Sequence, residues 1–304
     1  MTTAIEVHGL KKSYGDVKAV RGIDLRIQTG EVFALLGTNG AGKTTTVEIL
    51  EGFRRADAGD VEVLGFDPGR GDIAFKRRIG IVLQSTGVEP YLTVAETIDL
   101  FRSYYPSPLP RDEIIEVVGL QEKKDEPVRE LSGGQQRRLD VAIGLAGDPD
   151  LLFLDEPTTG FDPGARRQAW EMVRNLAQLG KTVFLTTHYM DEAQNLAGRV
   201  AIIVAGRIVA QGAPRELSPR GNEATIRVTL PHEADGLPQG IVDLGRRDGP
   251  RLEIVTKEPA RVLHDLTGWA LEHDIELTDL EVGTATLEDV YLELTAAAAK
   301  ESES

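Results

Sequence analysis

The 304-residue chain has no cysteine, which removes disulfides, thiolate catalysis and every cysteine-built metal site at once. Long apolar runs are missing too. No stretch approaches the roughly 18 uninterrupted apolar residues that a membrane span needs, and the start MTTAIEVHGLKKSYG holds no apolar core of signal-peptide length. The chain is therefore expected to be soluble, with any membrane role supplied by a partner. Positive charge is also scarce, 34 Lys and Arg against 49 Asp and Glu, for a net charge of −15. Nonspecific nucleic-acid binding rests on cations that neutralise phosphates, so no nucleic-acid partner is expected. Neither a repeat at solenoid periods nor a heptad run is present.

What is present is an ordinary globular content of 41% hydrophobic residues, enough for a large domain plus a small one. The acidity is uneven. From Ala213 to Ser304 nineteen acidic residues face nine basic ones, leaving a net of only −5 for residues 1–212. The sequence pattern also changes at Gly212-Ala213-Pro214, so a main domain over 1–212 and a small accessory domain over 213–304 are expected.

In the main domain, short apolar runs alternate with helical stretches, which implies an α/β layer architecture. EVFALL (Glu31–Leu36), Ile79–Leu83, Leu151–Leu154, Thr182–Thr186 and Val200–Val204 read as buried strands, and Lys43–Leu50 as a helix. Strand signals disappear between Gln84 and Leu131. There, Thr93 and Glu96 form a T-x-x-E capping box that opens a helix through about Tyr105, and Arg111–Val118 reads as a second. A helical insert, about residues 85–147, is expected inside the α/β domain. Beyond 213, Glu223–Leu230, Gly240–Leu244, Arg251–Thr256 and Ile275–Val282 read as strands, and Pro259–Glu272 and Leu287–Leu294 as helices. The result is a small α+β fold with a tail, AAAAKESES, expected to fray.

Gly37-Thr38-Asn39-Gly40-Ala41-Gly42-Lys43-Thr44 fits G-x-x-x-x-G-K-[ST] between a strand and a helix, the context that a phosphate-binding loop requires. Its glycines let backbone N–H groups converge on phosphate oxygens. The helix N-terminus adds positive dipole, Lys43 reaches the outer phosphates, and the Thr44 hydroxyl can ligate Mg²⁺. Thr45 follows in the same turn. About 110 residues on, the strand LLFL delivers Asp155 and Glu156 at its C-terminal edge, where ligands collect in parallel sheets. Asp155 is expected to hold Mg²⁺, and Glu156 to polarise an attacking water.

LSGGQQRRLD, from Leu131 to Asp140, starts a second helix with a serine and two glycines. Ser132 and Gln135 form an S-x-x-Q capping pattern, which accounts for the helix start but not for Gly133 and Gly134, residues that weaken a helix. Such glycines suit close approach by a ligand, and at a helix N-terminus an anion is the natural one. LSGGQ in this setting resembles the signature of the ATP-binding cassette family, the nucleotide-binding subunits of ABC transporters. The resemblance runs from residue 4 to about 212. It implies a P-loop ATPase fold in which two subunits pack head to tail around ATP and Mg²⁺, each signature capping the γ-phosphate held by the other subunit's phosphate loop.

Further residues acquire roles from the resemblance. Tyr14 matches an aromatic that stacks on adenine, and Gln84 a glutamine that senses Mg²⁺ and the γ-phosphate. Asp162 matches a loop that crosses the dimer interface, and His188 a histidine that contacts the γ-phosphate. Thr38 stands where proline is commoner and Phe161 where leucine is. Neither change removes a chemical group. The last ninety residues resemble the accessory domain of daunorubicin/doxorubicin-resistance exporters, with TLEDVYLELT close to that group's L-E-D-V-F-x-x-L-T ending and Tyr291 in place of phenylalanine.

The resemblance implies an ATPase subunit that powers export of a drug-like, lipid or other small molecule. It implies a separate integral-membrane subunit, a homodimer in the ATP-bound state, and a location at the cytoplasmic face of the cell membrane. Two other activities fit the same cassette. One is a soluble ATPase of DNA repair or translation, disfavoured by the single cassette and the lack of a heptad run or cysteine. The other is an importer ATPase, disfavoured by the L-E-D-V-Y ending.

Overall fold

The computed structural model describes residues 2–82, 87–217, 224–231, 236–284, 287 and 291. The chain divides into two compact units, Met1–Pro214 and Arg215–Ser304.

The first unit contains β1 (Thr3–Tyr14), β2 (Val17–Gln28), β3 (Val32–Leu36), α1 (Lys43–Leu50), β4 (Ala58–Val63), α2 (Ile73–Lys76) and β5 (Ile79–Val82). They are followed by α3 (Val94–Arg102), α4 (Arg111–Val118), α5 (Gly133–Leu145), β6 (Leu151–Asp155), α6 (Pro163–Gln178), β7 (Thr182–Thr187), α7 (Met190–Leu196), β8 (Arg199–Val204) and β9 (Arg207–Gly212). Five strands run parallel in the order β5-β6-β7-β3-β8, and β9 adds an antiparallel edge. β3 is buried along its whole length, as a parallel strand covered on both faces must be. Phe184 stands between Phe33 and Phe153, each ring centroid 5.7 Å away, so one aromatic row ties three adjacent strands together. Burial of each such ring contributes roughly 2–3 kcal/mol.

A separate antiparallel sheet, β2-β1-β4, shares a hydrophobic core with this one: Ile5, Leu10 and Ile23 cluster with Leu50 of α1 and with Phe33 and Phe153. The sequence pattern drew no strands before Glu31. Register shifts along the β1–β2 pair explain why, because each bulge resets the period-2 alternation by which a strand is read.

Among the described residues, three α-helices, α3 to α5, lie between β5 and β6. The Thr93–Glu96 capping box is formed in both directions at α3. That helix ends at Arg102, ahead of Pro106 and Pro108, rather than at Tyr105.

The second unit pairs β10 (Ala224–Thr229), β11 (Gly245–Asp248), β12 (Arg251–Thr256) and β13 (Thr278–Thr284) in the antiparallel order β11-β12-β10-β13, with α8 (Gln239–Leu244) and α9 (Pro259–Glu272). Val262, Leu266, Trp269 and Ala270 of α9 follow helical spacing and pack on Ile226, Val228 and Ile254. Gly240–Leu244, expected as a strand, is helical instead. The carbonyl of Pro238 accepts the N–H groups of both Ile241 and Val242, closing a turn. Only Ile241 is buried, while Val242 and Leu244 are exposed. A five-residue run is too short for its period to be read. Of the expected helix Leu287–Leu294 only Leu287 and Tyr291 are described, both helical and buried. The expected frayed tail lies outside the described residues.

Candidate active site

The phosphate loop joins β3 to α1 and is held by close backbone contacts. A Cβ on Gly42 would lie 2.5 Å from the carbonyl oxygen of Ala19, and one on Gly37 equally close to that of Ile203. Gly42 also has φ +108°, a conformation that side chains strain. Thr38, Asn39, Gly40 and Thr44 are exposed, Ala41 is buried, and Thr45 is half-buried. The loop thus presents an open rim over a fixed base.

Lys43 is buried at that base. Its ammonium donates to the carbonyls of Gly37 at 2.8 Å and Thr38 at 3.3 Å, and lies 3.2 Å from Oε1 of Glu156. An ammonium has three N–H donors, so all three have oxygen partners. β6 brings in Asp155 and Glu156. Asp155 accepts from the Thr186 hydroxyl of neighbouring β7, and the same hydroxyl accepts the Glu156 N–H at 3.1 Å. Glu156 has φ +45°. A non-glycine residue in that region stores strain that its surroundings must hold in place, and here the Thr186 hydroxyl and carbonyl both bind its N–H.

The Glu156 carboxylate is clasped from three directions. Besides Lys43, the Thr159 hydroxyl donates to Oε2 at 3.1 Å, and Nδ1 of His188 lies 3.2 Å from Oε1 without regular hydrogen-bond alignment. Burial pushes this carboxyl up, but the imidazole of His188 and the ammonium of Lys43 outweigh it and hold the group below the usual carboxylate range. Behind the strand, Arg137 donates to the Asp155 carbonyl at 2.8 Å and ties α5 to the end of β6.

Tyr14 ends β1 with 41% of its surface exposed. Arg54 and Lys12 lie 5.4 and 5.7 Å from its ring centroid. The β1–β2 hairpin touches the phosphate loop through the Ala19–Gly42 contact.

Ser132 caps α5. Its hydroxyl accepts the Gln135 N–H at 3.3 Å, and the Gln135 side chain accepts the Ser132 N–H at 2.8 Å. The N–H groups of Gly133 and Gly134, in the first turn, have no intrahelical acceptor, and a Cβ on Gly133 would meet nothing within 4 Å. Ser132, Gly133, Gly134 and Gln135 line a cleft of about 630 Å³ together with Asp162. Asp162 caps α6 by accepting from Gly164 and Ala165 at 2.8 and 3.0 Å. No residue of Gly37–Thr45 is among those lining that cleft. Gln84 lies outside the described residues.

Three contacts escaped the sequence analysis: the Thr186 hydroxyl on Asp155, the Thr159 hydroxyl on Glu156, and Arg137 on the Asp155 carbonyl. The threonine pairs at the end of TVFLTT and inside EPTTGFD were the available signals, being hydroxyls at the edge of the sheet that carries the carboxylates.

A strand, a glycine loop gripping a buried lysine, and a strand of the same parallel sheet, one place removed, ending in carboxylates define a P-loop nucleotide-binding protein. A family model described as ABC transporter matches residues 20–159, and a second, for the C-terminal domain of ABC transporter domain-containing-like proteins, matches residues 224–286. The chain is 39% identical to the daunorubicin resistance ATP-binding protein DrrA3 of Streptomyces coeruleorubidus, over 96% of both chains. It is 37% identical to Nod factor export ATP-binding protein I of Ralstonia nicotianae, over 97% of this chain and 94% of that one. Among solved structures, cbiO1 of Clostridium perfringens, part of the ABC transporter complex cbiONQ, superposes with a TM-score of 0.65 at 28% identity, covering 71% of this chain and 91% of that chain. The chain belongs to the ABC transporter family as an ATP-binding, ATP-hydrolysing subunit. No helix among the described residues is long and apolar enough to cross a membrane.

Proposed function

We propose that two copies of this chain enclose two ATP-Mg²⁺ and that hydrolysis drives export of a drug-like, lipid or other small molecule through a separate membrane subunit, with the chain at the cytoplasmic face. The export direction and substrate class follow the relatives, a daunorubicin resistance protein and a Nod factor export protein. The composite site is carried by one observation: the cleft in front of Ser132–Gln135 is lined by the Asp162 loop and by nothing from the chain's own phosphate loop. An anion on this signature would therefore come with a second copy.

Within each half-site, the Gly37–Thr45 backbone and Lys43 bind the phosphates, and Tyr14 stacks on adenine. The site suits Mg²⁺ because Thr44 and Asp155 offer hydroxyl and carboxylate oxygens, the hard donors that this ion prefers, with Gln84 as a third ligand. Bound there, the ion would neutralise charge on the outer phosphates. Phosphate oxygens reaching Lys43 displace Glu156 from the ammonium. The freed carboxylate, still steered by Thr159 and His188, then orients and polarises the attacking water. His188 also contacts the γ-phosphate, and Asp162 crosses to the second copy.

The test separates binding from chemistry. Glu156→Gln should bind ATP-Mg²⁺ yet hydrolyse it very slowly, and with ATP it should run as a dimer in light scattering. Lys43→Ala should lose affinity, and Ser132→Arg added to Glu156→Gln should abolish the dimer. Full turnover in Glu156→Gln would remove the role given to that carboxylate.

A further inference from the structure

Glu192, in the first turn of α7, has no exposed surface, and neither carboxyl oxygen has a hydrogen-bond partner of regular geometry among the described residues. An apolar side chain would fill this place without the desolvation that an acid must bear. Burial pushes the group up from the ordinary glutamate value, the hydroxyls of Thr187 and Thr158 pull it down, Asp191 adds to the rise and Arg166 opposes it.

The two threonines are the informative neighbours. Thr158 directly precedes Thr159, and Thr187 directly precedes His188. Those next residues are the ones that reach the Glu156 carboxylate, at 3.1 Å through Oγ1 of Thr159 and 3.2 Å through Nδ1 of His188. Thr158 and Thr187 are both buried, and the Thr158 hydroxyl has no other partner among the described residues. The Thr187 hydroxyl accepts the Tyr189 N–H at 2.9 Å. On the outer side, the Tyr189 ring packs 4.1 Å from the His188 ring, Arg166 lies 4.6 Å from the Tyr189 ring, and Arg166 pairs with Asp191 at 3.2 Å. Two segments from different parts of the chain thus meet on one buried carboxyl, each through the residue that precedes a group reaching Glu156.

We propose that Glu192 is a positioning residue for ATP hydrolysis: its buried carboxyl sets the loop after β6 and the end of β7 relative to each other, and so places Thr159 and His188 on Glu156. This rests on the assignment of Glu156 above. Misplacing a catalytic group by an ångström from a distance slows chemistry more than binding.

The experiment compares Glu192→Gln, which keeps the shape and polarity of the neutral acid, with Glu192→Leu, which fills the space but offers the two hydroxyls no polar atom. In the full chain, Gln should keep kcat within about threefold, whereas Leu should lower kcat about tenfold or more and leave KM for ATP within about twofold. Combined with Glu156→Gln, Glu192→Leu should cause no further loss of the residual rate, because a residue acting through Glu156 has nothing left to position. Unchanged kcat in folded Glu192→Leu, or a second full tenfold loss on top of Glu156→Gln, would overturn the proposal. Should Glu192→Leu not fold, Thr158→Val and Thr187→Val test the same contacts, and wild-type turnover in both would overturn it equally. Failure of the Glu156 assignment shows separately, as full activity in the single Glu156→Gln variant.

Discussion

Glu51 closes α1, the helix that follows the phosphate loop, and is only 8% exposed. Burial raises its pKa from 4.5 to about 8, with the negative charges of Asp155 and Glu48 adding to the rise. The folded chain therefore holds a proton here that the unfolded chain gives up near pH 4.5. Stability carries no penalty from this group below pH 4.5, loses ground steadily as pH rises from 4.5 to 8, and is constant with respect to it above that. Each tenfold difference in proton affinity between the folded and unfolded chains corresponds to about 1.4 kcal/mol, so the cost is on the order of 3 kcal/mol at pH 7 and about 5 kcal/mol above pH 8. Glu51→Gln keeps the size and the neutral form but cannot ionise. Urea unfolding of both chains at pH 5, 6, 7 and 8, without nucleotide or divalent cation, should show the variant gaining on the parent at each step. Stability curves that stay parallel across this range would refute the reasoning, since all other titrating groups are common to the two chains.

Tyr14→Ala should weaken ATP binding about tenfold, the loss of roughly 1–2 kcal/mol of ring stacking, while the melting temperature barely moves because the ring is exposed; titration calorimetry with ATP-Mg²⁺ and a thermal melt check the two halves. Gly42→Ala places a methyl 2.5 Å from the Ala19 carbonyl oxygen in a strained backbone conformation, and should abolish the rise in melting temperature that ATP gives the parent chain.

The phosphate loop and the buried strands were legible because their signals are local. A glycine-lysine motif lies within eight residues, and a strand covered on both faces shows as an uninterrupted apolar run. The antiparallel sheet was not, because bulges in β1 break its alternation, and Gly240–Leu244 was misread because its apolar residues do not reveal which of them face inward. Glu192 illustrates a deeper limit. In the sequence it is an ordinary acid near a helix start. Only the folded chain shows that it meets Thr158 and Thr187, the residues next to the two that reach the carboxylate that the sequence did point to. The same holds for Thr186, whose hydroxyl binds Asp155 across the β6–β7 pair.

The composite site is tested most directly with heterodimers purified through two different tags. If the Ser132 signature serves the opposite subunit, Lys43→Ala paired with Ser132→Arg gathers both lesions into one site and leaves the other whole, so ATPase activity returns that neither chain has alone. The wild-type chain paired with the Lys43→Ala, Ser132→Arg double variant then has one lesion in each site and should be inactive. Activity in that wild-type and double-variant heterodimer would contradict the account, because only a signature acting within its own chain leaves a site intact there.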